Sequence, residues 1–385
     1  MRRGAALSTA AKTFGVVVIA AAAALVTTGT PDAQSDALDG RLHADLDALV
    51  AGMDVPGAQL VLTRGERSSQ INSGTGDLGT GAAFPDNAQV RIASNTKTFV
   101  AATVLQLVGE GRIELDVPVE RYLPGVVRGP GGDGTVITVR QLLQHTSAIP
   151  DYLTDLDTES VAALRQWRTA DDLIRMGLAK TADRQPGERA VYSNTNYLLA
   201  GQIVERVTGV PVGVEVTRRI LLPLGLTDTY WPVFPAESVI RGPHARAYHD
   251  FGDGLRVDLT DIDPGWGLAD GAMVSTSADL SRFFAALVGG RVLAPAQLDE
   301  MRKTVPSGDF RRSDDFGLGL FHRVSSCGLD VWGHGGTMHG SFVYGGTAGD
   351  RSVVISLNQI PDMFGGAQRG ADLDDVVDAA LCSDA

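Results

Sequence analysis

Strand-like segments stand at both ends of this chain and helix-like segments fill its middle, an order that restricts the fold more than any other feature of the sequence. After a helical stretch at residues 37–52, residues 57–64 and 68–73 alternate in the two-residue rhythm of strands around a turn at Gly65, and residues 89–93 read as a third strand. Strands return at residues 317–324, 329–333, 340–347 and 352–358, and a helix at 371–381 closes the chain. Between these zones the pattern is helical and broken by proline and glycine, with residues 138–144, 169–178 and 195–208 as examples. Phe99, Val100, Val104, Leu105 and Val108 recur at helical spacing over residues 94–111. The order predicts an α/β (α+β) protein whose single sheet is assembled from both termini, with a second, mostly helical lobe inserted. Residues 34–97 and 265–385 are expected in the sheet lobe and residues 98–264 in the helical lobe, with the active site in the cleft between them.

The N-terminus predicts export. Arg2, Arg3 and Lys12 precede an apolar run at residues 14–26, which gives way to Thr27, Thr28 and Gly29. These are the basic start, short apolar middle and small-residue exit of a signal peptide, with cleavage expected near Ala33. The run is too short to span a bilayer, no cysteine near its end offers a lipid anchor, and no second long apolar segment follows. A secreted monomer without a membrane anchor is the expectation. In an oxidising compartment Cys327 and Cys382 are expected to pair as a disulfide. The net charge is −13, and removing residues 1–33 takes away three cations and one acid, leaving −15. Such a surface repels phosphate backbones, so no nucleic-acid partner is expected.

Several familiar motifs fail on context. Gly74-Thr-Gly76-Asp-Leu-Gly79 and Gly129-Pro-Gly131-Gly-Asp-Gly134 match a dinucleotide pattern but open no helix, so both read as turns. No phosphate-binding Gly-x-x-x-x-Gly-Lys-Ser/Thr occurs, and no Gly-x-Ser-x-Gly. The spacings of His244 with His249 and of His334 with His339 do not stack on one helical face, so no metal is expected.

Three elements carry chemistry. Lysine is scarce, occurring only at positions 12, 97, 180 and 303, yet Lys97 follows Ser94 by three residues at the start of a helix. That spacing puts both side chains on one face, where a desolvated lysine can take the proton that makes a serine hydroxyl a poor nucleophile. The bland alternative is a capping serine beside an exposed lysine. Tyr192-Ser193-Asn194 then offers a phenol for proton relay and an amide that can orient lysine or substrate; alone it would read as a helix entry capped by Asn194. His334-Gly335-Gly336-Thr337 lies on a C-terminal strand, where two small residues let a substrate backbone approach.

In this order the three elements resemble those of the serine β-lactamase and penicillin-binding protein superfamily, whose first motif is Ser-x-x-Lys. The chain is similar to the branch containing exported D-alanyl-D-alanine carboxypeptidases, class C β-lactamases and related esterases, and within it to actinomycete secreted D,D-peptidases. Gly109-Glu-Gly111, Tyr122-Leu-Pro124, Leu142-Leu-Gln-His145-Thr-Ser147, Gln185-Pro-Gly187 and Gly317-Leu-Gly319-Leu extend the likeness. The resemblance implies a β-lactamase/transpeptidase-like fold with an antiparallel sheet. It makes Ser94 the acylated nucleophile and gives Lys97 and Tyr192 the base and acid duties. His334 would support proton transfer or bind a terminal carboxylate, Asn194 would hold the substrate amide, and the N–H groups of Ser94 and Thr337 would form the oxyanion hole. Trp266 would wall the pocket, and Gly335, Gly336 and Thr337 would line it. The resemblance also implies that no cofactor is required.

Two departures bear on substrate. Where the resembling carboxypeptidases place a carboxylate-binding arginine, this chain has Phe321, and Arg323, two residues on, is expected to substitute. Gly335 stands where those enzymes have threonine. The expected substrates are a small peptide, a β-lactam or an ester, with D-alanyl-D-alanine carboxypeptidase as the first reading and an esterase or β-lactamase as the second. The third is a noncatalytic penicillin-binding-like protein that kept the fold, against which stand the three intact elements.

Overall fold

The computed structural model describes residue 1 and residues 33–65, 67–233, 235–252, 254–262, 268–307, 315–361 and 369–383. The apolar run expected to serve as a signal peptide lies outside them. Among the described residues no helix is long and apolar enough to cross a membrane.

The chain enters through α1 (Ala33–Gly52) into β1 (Gly57–Arg64) and β2 (Arg67–Gly74), then β3 (Gln89–Arg91) and α2 (Thr96–Gly109). Helices follow: α3 (Val139–Leu143), α4 (Val161–Leu164), α5 (Ala170–Ala179), α6 (Thr195–Thr208), α7 (Val212–Val216) and α8 (Leu222–Leu224). A small hairpin, β4 (Tyr248–Asp250) and β5 (Arg256–Asp258), precedes β6 (Val274–Thr276), α9 (Ser277–Val288) and α10 (Pro295–Met301). The last part holds β7 (Val305–Pro306), β8 (Asp315–Phe316), β9 (Phe321–Val324), β10 (Asp330–Met338), β11 (Ser341–Ala348), β12 (Arg351–Leu357) and α11 (Arg369–Cys382).

Eight strands form one antiparallel sheet in the order β2-β1-β12-β11-β10-β9-β8-β7, so the N-terminal hairpin pairs with the C-terminal strand β12. The predicted α/β class and two-ended antiparallel sheet are therefore observed. The third predicted strand differs: β3 pairs with β6 in a separate two-stranded ribbon, because its three residues turn into α2 instead of running along the sheet. The strand expected at 329–333 runs on through Met338, so the His334 motif lies inside β10 and not at its end.

Helices cover both faces of the sheet. Along β12, Val353, Ile355 and Leu357 face a core shared with Leu42 and Leu46 of α1 and Leu373 and Val377 of α11, whereas Val354 faces the core of α2 and α9. The period-two side-chain rhythm of a strand places these residues on opposite faces. α2 is buried all round from Thr96 to Leu105, and Phe99 stacks on Phe283 of α9 at 3.6 Å between ring centroids. A helix apolar on every side belongs inside the protein, and this one carries the Ser94 turn at its head.

Cys327, in the turn between β9 and β10, is disulfide-bonded to Cys382 at the end of α11. The bond closes a loop of 55 residues, for which the chain-entropy account predicts about 4 kcal/mol of stabilisation. The double replacement Cys327→Ser/Cys382→Ser is expected to lose most of this in urea unfolding. A loss below about 1 kcal/mol would mean that packing alone holds α11.

Candidate active site

The turn before α2 is a tight reversal. The Ile92 N–H donates to the Met273 carbonyl (3.0 Å), and Ala93 takes φ +45°, a conformation L residues adopt only where their surroundings demand it. The Asn95 Nδ2 donates to the Ile92 and Val343 carbonyls (2.9 and 3.3 Å), which staples the turn to β11. From Arg91 to Leu105 every residue is buried except Ser94, which is partly exposed.

Lys97, one helical turn on, is wholly buried, and its Nζ has three partners: Ser94 Oγ at 2.9 Å, Asn194 Oδ1 at 2.7 Å and the Asp270 carbonyl at 2.7 Å. The last two can only accept. Two N–H bonds are therefore committed to them, and the third tetrahedral position of the nitrogen faces Ser94 Oγ, as a lone pair when the amine is neutral. Burial pulls the ammonium down to about 8, against the attraction of Asp270 and Asp151. Asn194 stands at the N-cap of α6 but makes no cap bond. Its Oδ1 accepts from Lys97 while its Nδ2 donates to Asp151 Oδ2 (2.9 Å), so the capping alternative is not the one realised.

The Tyr192 phenol shares a hydrogen bond with Ser94, and burial holds it well above the ordinary phenol range, so it stays protonated. Lys97 Nζ lies 5.0 Å from its ring centroid. His145 stacks on Tyr192 at 4.3 Å between ring centroids, and its Nδ1 accepts the Ser193 N–H (3.2 Å). His145 has φ +58°, and burial, followed by the nearby Lys97 charge, keeps the imidazole neutral. Beneath Lys97, the Tyr152 hydroxyl donates to Asp270 Oδ2 (2.7 Å), and burial raises that carboxyl above its usual range.

His334 approaches from β10, its ring 4.2 Å from that of Phe321 and 6.5 Å from that of Tyr192. Its Nδ1 donates to the Gly335 carbonyl at 2.5 Å. Burial, reinforced by the Lys97 charge, lowers its pKa to about 3. With the imidazole neutral and its Nδ1 proton given to the Gly335 carbonyl, the ring offers a carboxylate no charge attraction.

Gly336 explains how β10 comes so close to the nucleophile: a Cβ there would stand 2.1 Å from the Ile92 carbonyl and 2.8 Å from Asn95 Nδ2. Only glycine permits the approach that brings Thr337 beside the Ser94 turn. At Gly335 the nearest atom to such a Cβ, Tyr344 Cδ2, is 3.4 Å away. Gly336→Ala is therefore expected to lower the melting temperature clearly more than Gly335→Ala, by about 1–3 kcal/mol of stability. Equal melting temperatures for the two variants would mean that the strand can move away freely.

Ser94, Lys97, Tyr192, Asn194 and His334 thus meet in one place. Arg323 does not join them. It is buried and paired with Asp378 of α11 (2.7 Å) and the Tyr344 hydroxyl (3.3 Å), so its charge is spent on holding α11 and it cannot replace the missing carboxylate-binding arginine. Trp266 lies outside the described residues. The sequence reading missed Asp151, Tyr152 and Asp270 altogether and treated His145 only as part of a motif. No local signal marks these residues, because each acts across the fold on Lys97, Asn194 or Tyr192.

The arrangement can perform acyl transfer: a serine within hydrogen-bond reach of a desolvated amine and of a protonated phenol, at the mouth of a buried helix. Known proteins agree with it. The beta-lactamase family profile matches residues 42–377. Protein flp of Staphylococcus aureus (strain N315) is 32% identical over 177 residues, and this match covers 46% of the chain but only 34% of flp, about a third of its length. Esterase EstB of Burkholderia gladioli is 28% identical over 356 residues, covering 83% of the chain and 89% of the esterase. A D-stereospecific amidohydrolase from Streptomyces sp. superposes with a TM-score of 0.80 at 36% identity, covering 92% of this chain and 100% of the other. Sheet topology, the Ser94–Lys97 geometry and these likenesses converge, and the chain belongs to the beta-lactamase family of serine hydrolases.

Proposed function

We propose that this protein is a serine amidohydrolase that cleaves small amides and esters of D-configured amino acids or short peptides through an acyl-enzyme on Ser94. The observation that carries the reading is the three-point hold on Lys97, which aims the amine at Ser94 Oγ. In the proposed cycle Lys97 takes the Ser94 proton and Oγ attacks the carbonyl carbon. The N–H groups of Ser94 and Thr337 stabilise the oxyanion. The C–N or C–O bond then breaks, and its electron pair leaves with a proton delivered through Lys97 and Tyr192. Water attacks the resulting ester by the reverse relay, which frees the acid and restores Ser94.

Amides and esters are favoured over carboxylate-ended peptides because Arg323 is committed to Asp378 and His334 is neutral. The likeness to a D-stereospecific amidohydrolase supports the same choice. The second reading, a D-alanyl-D-alanine carboxypeptidase or β-lactamase, uses the same machinery and rests on the motif resemblance to secreted D,D-peptidases.

A panel of D- and L-phenylalanine amide, p-nitrophenyl acetate, a D-Ala-D-Ala peptide and a chromogenic cephalosporin separates the two. The expected order has the D-amide ahead of its L-isomer and of the peptide by at least about tenfold in kcat/KM. Faster D-alanine release or cephalosporin opening would transfer the reading to the second class. Export as a monomer is part of the proposal: protein recovered from the medium is expected to begin near residue 34, and a retained residue 1 would overturn it.

A further inference from the structure

Among the described residues, His334 brings to the site a buried ring nitrogen that has no hydrogen-bond partner. Its Nδ1 lies 2.5 Å from the Gly335 carbonyl, which can only accept, so the single proton of a neutral ring sits on Nδ1. The Nε2 is then a bare acceptor, and among the described residues it has no hydrogen-bond partner, in a residue only 2% exposed. The ring cannot turn away easily, because Phe321 stacks on it and Tyr192 lies beyond.

The geometry points to His334 Nε2 as the acceptor of an N–H on the scissile amide, the contact that lets this site expel nitrogen as well as oxygen. The inference rests on the amide-hydrolase reading and names the group that would make it work. In the tetrahedral adduct on Ser94 the nitrogen must receive a proton before the C–N bond breaks. Its lone pair must therefore face the Tyr192 hydroxyl, which shares a hydrogen bond with Ser94. An acceptor gripping one N–H on the other side of that nitrogen fixes this orientation. The C–N electron pair then goes to nitrogen, the relayed proton completes a neutral amine or ammonia, and the carbonyl of the acyl-enzyme re-forms. An ester oxygen carries no hydrogen and gains nothing from the contact. A carboxylate at this position would set its lone pairs against that of Nε2.

The test compares kcat/KM on D-phenylalanine amide and D-phenylalanine methyl ester for the wild type, His334→Phe and His334→Gln. Phenylalanine keeps the ring packed on Phe321 without an acceptor, whereas the glutamine Oε1 can still accept. His334→Phe is expected to lower the amide-to-ester ratio at least about tenfold, and His334→Gln to recover part of it. The ratio does not depend on the fraction of enzyme that folds. A loss equal on both substrates, or a ratio unchanged in both variants, overturns the assignment to His334. A wild type that turns over the ester but not the amide overturns the amide reading itself, before any variant is made.

Discussion

Ser94→Ala is expected to lower hydrolysis of every substrate by at least about 10⁴-fold and to remove any covalent adduct with an activated ester or a β-lactam. The size follows from the site. Ser94 is the only residue from Arg91 to Leu105 open to substrate, and both Lys97 and Tyr192 are aimed at its oxygen. With the hydroxyl gone, what remains is binding and the oxyanion donors, which cannot form an acyl-enzyme. Intact-mass spectrometry after exposure to an activated ester checks the outcome. An adduct that survives in the variant would place the nucleophile elsewhere.

The second large effect belongs to Lys97. Lys97→Met keeps the length of the side chain and removes the base, so kcat/KM is expected to fall about 10²–10⁴-fold. In the wild type the neutral amine is the competent form, and its pKa is lowered to about 8 by burial. The acylation rate should therefore rise tenfold per pH unit below 8 and level off above it. Asp270→Asn removes a charge that favours the ammonium, so it should move this limb to lower pH. Burial holds the Tyr192 phenol above its ordinary range, and a phenolate base would put the limb beyond pH 10. Stopped-flow acylation between pH 5 and 10 decides the matter: a wild-type rate flat from pH 6 to 9 would exclude Lys97 as the base. Stability carries the same signature. Between pH 8 and Lys97's unfolded value of 10.5 the unfolded chain binds more protons than the native state, so this group's contribution to stability rises with pH across that window.

Strand and helix rhythm made most of the sheet legible in the sequence, down to the ends of β1 and α6, but missed the two-residue strands β7 and β8 and began β9 at residue 317 instead of Phe321. It failed at β3, whose three residues cannot announce which partner they will find, and at α9, which was not recognised although it packs under the sheet. Ser94 and Lys97 were legible because they act on each other one helical turn apart. Arg323 was misjudged because strand alternation places it on a face without saying what covers that face, and α11 brings Asp378 to meet it.

By itself, then, the sequence determined what local periodicity and short spacing can encode: a sheet drawn from both ends of the chain, a serine and a lysine on one helical face, and the Tyr192 and His334 elements in a recognisable order. Only the tertiary structure decided the charge states. Burial made Lys97 a base near neutral pH and left His334 a neutral acceptor, and a distant helix took Arg323 out of the site. Desolvation and ion pairing depend on what surrounds a group in space, and for these residues the surroundings come from segments far away along the chain.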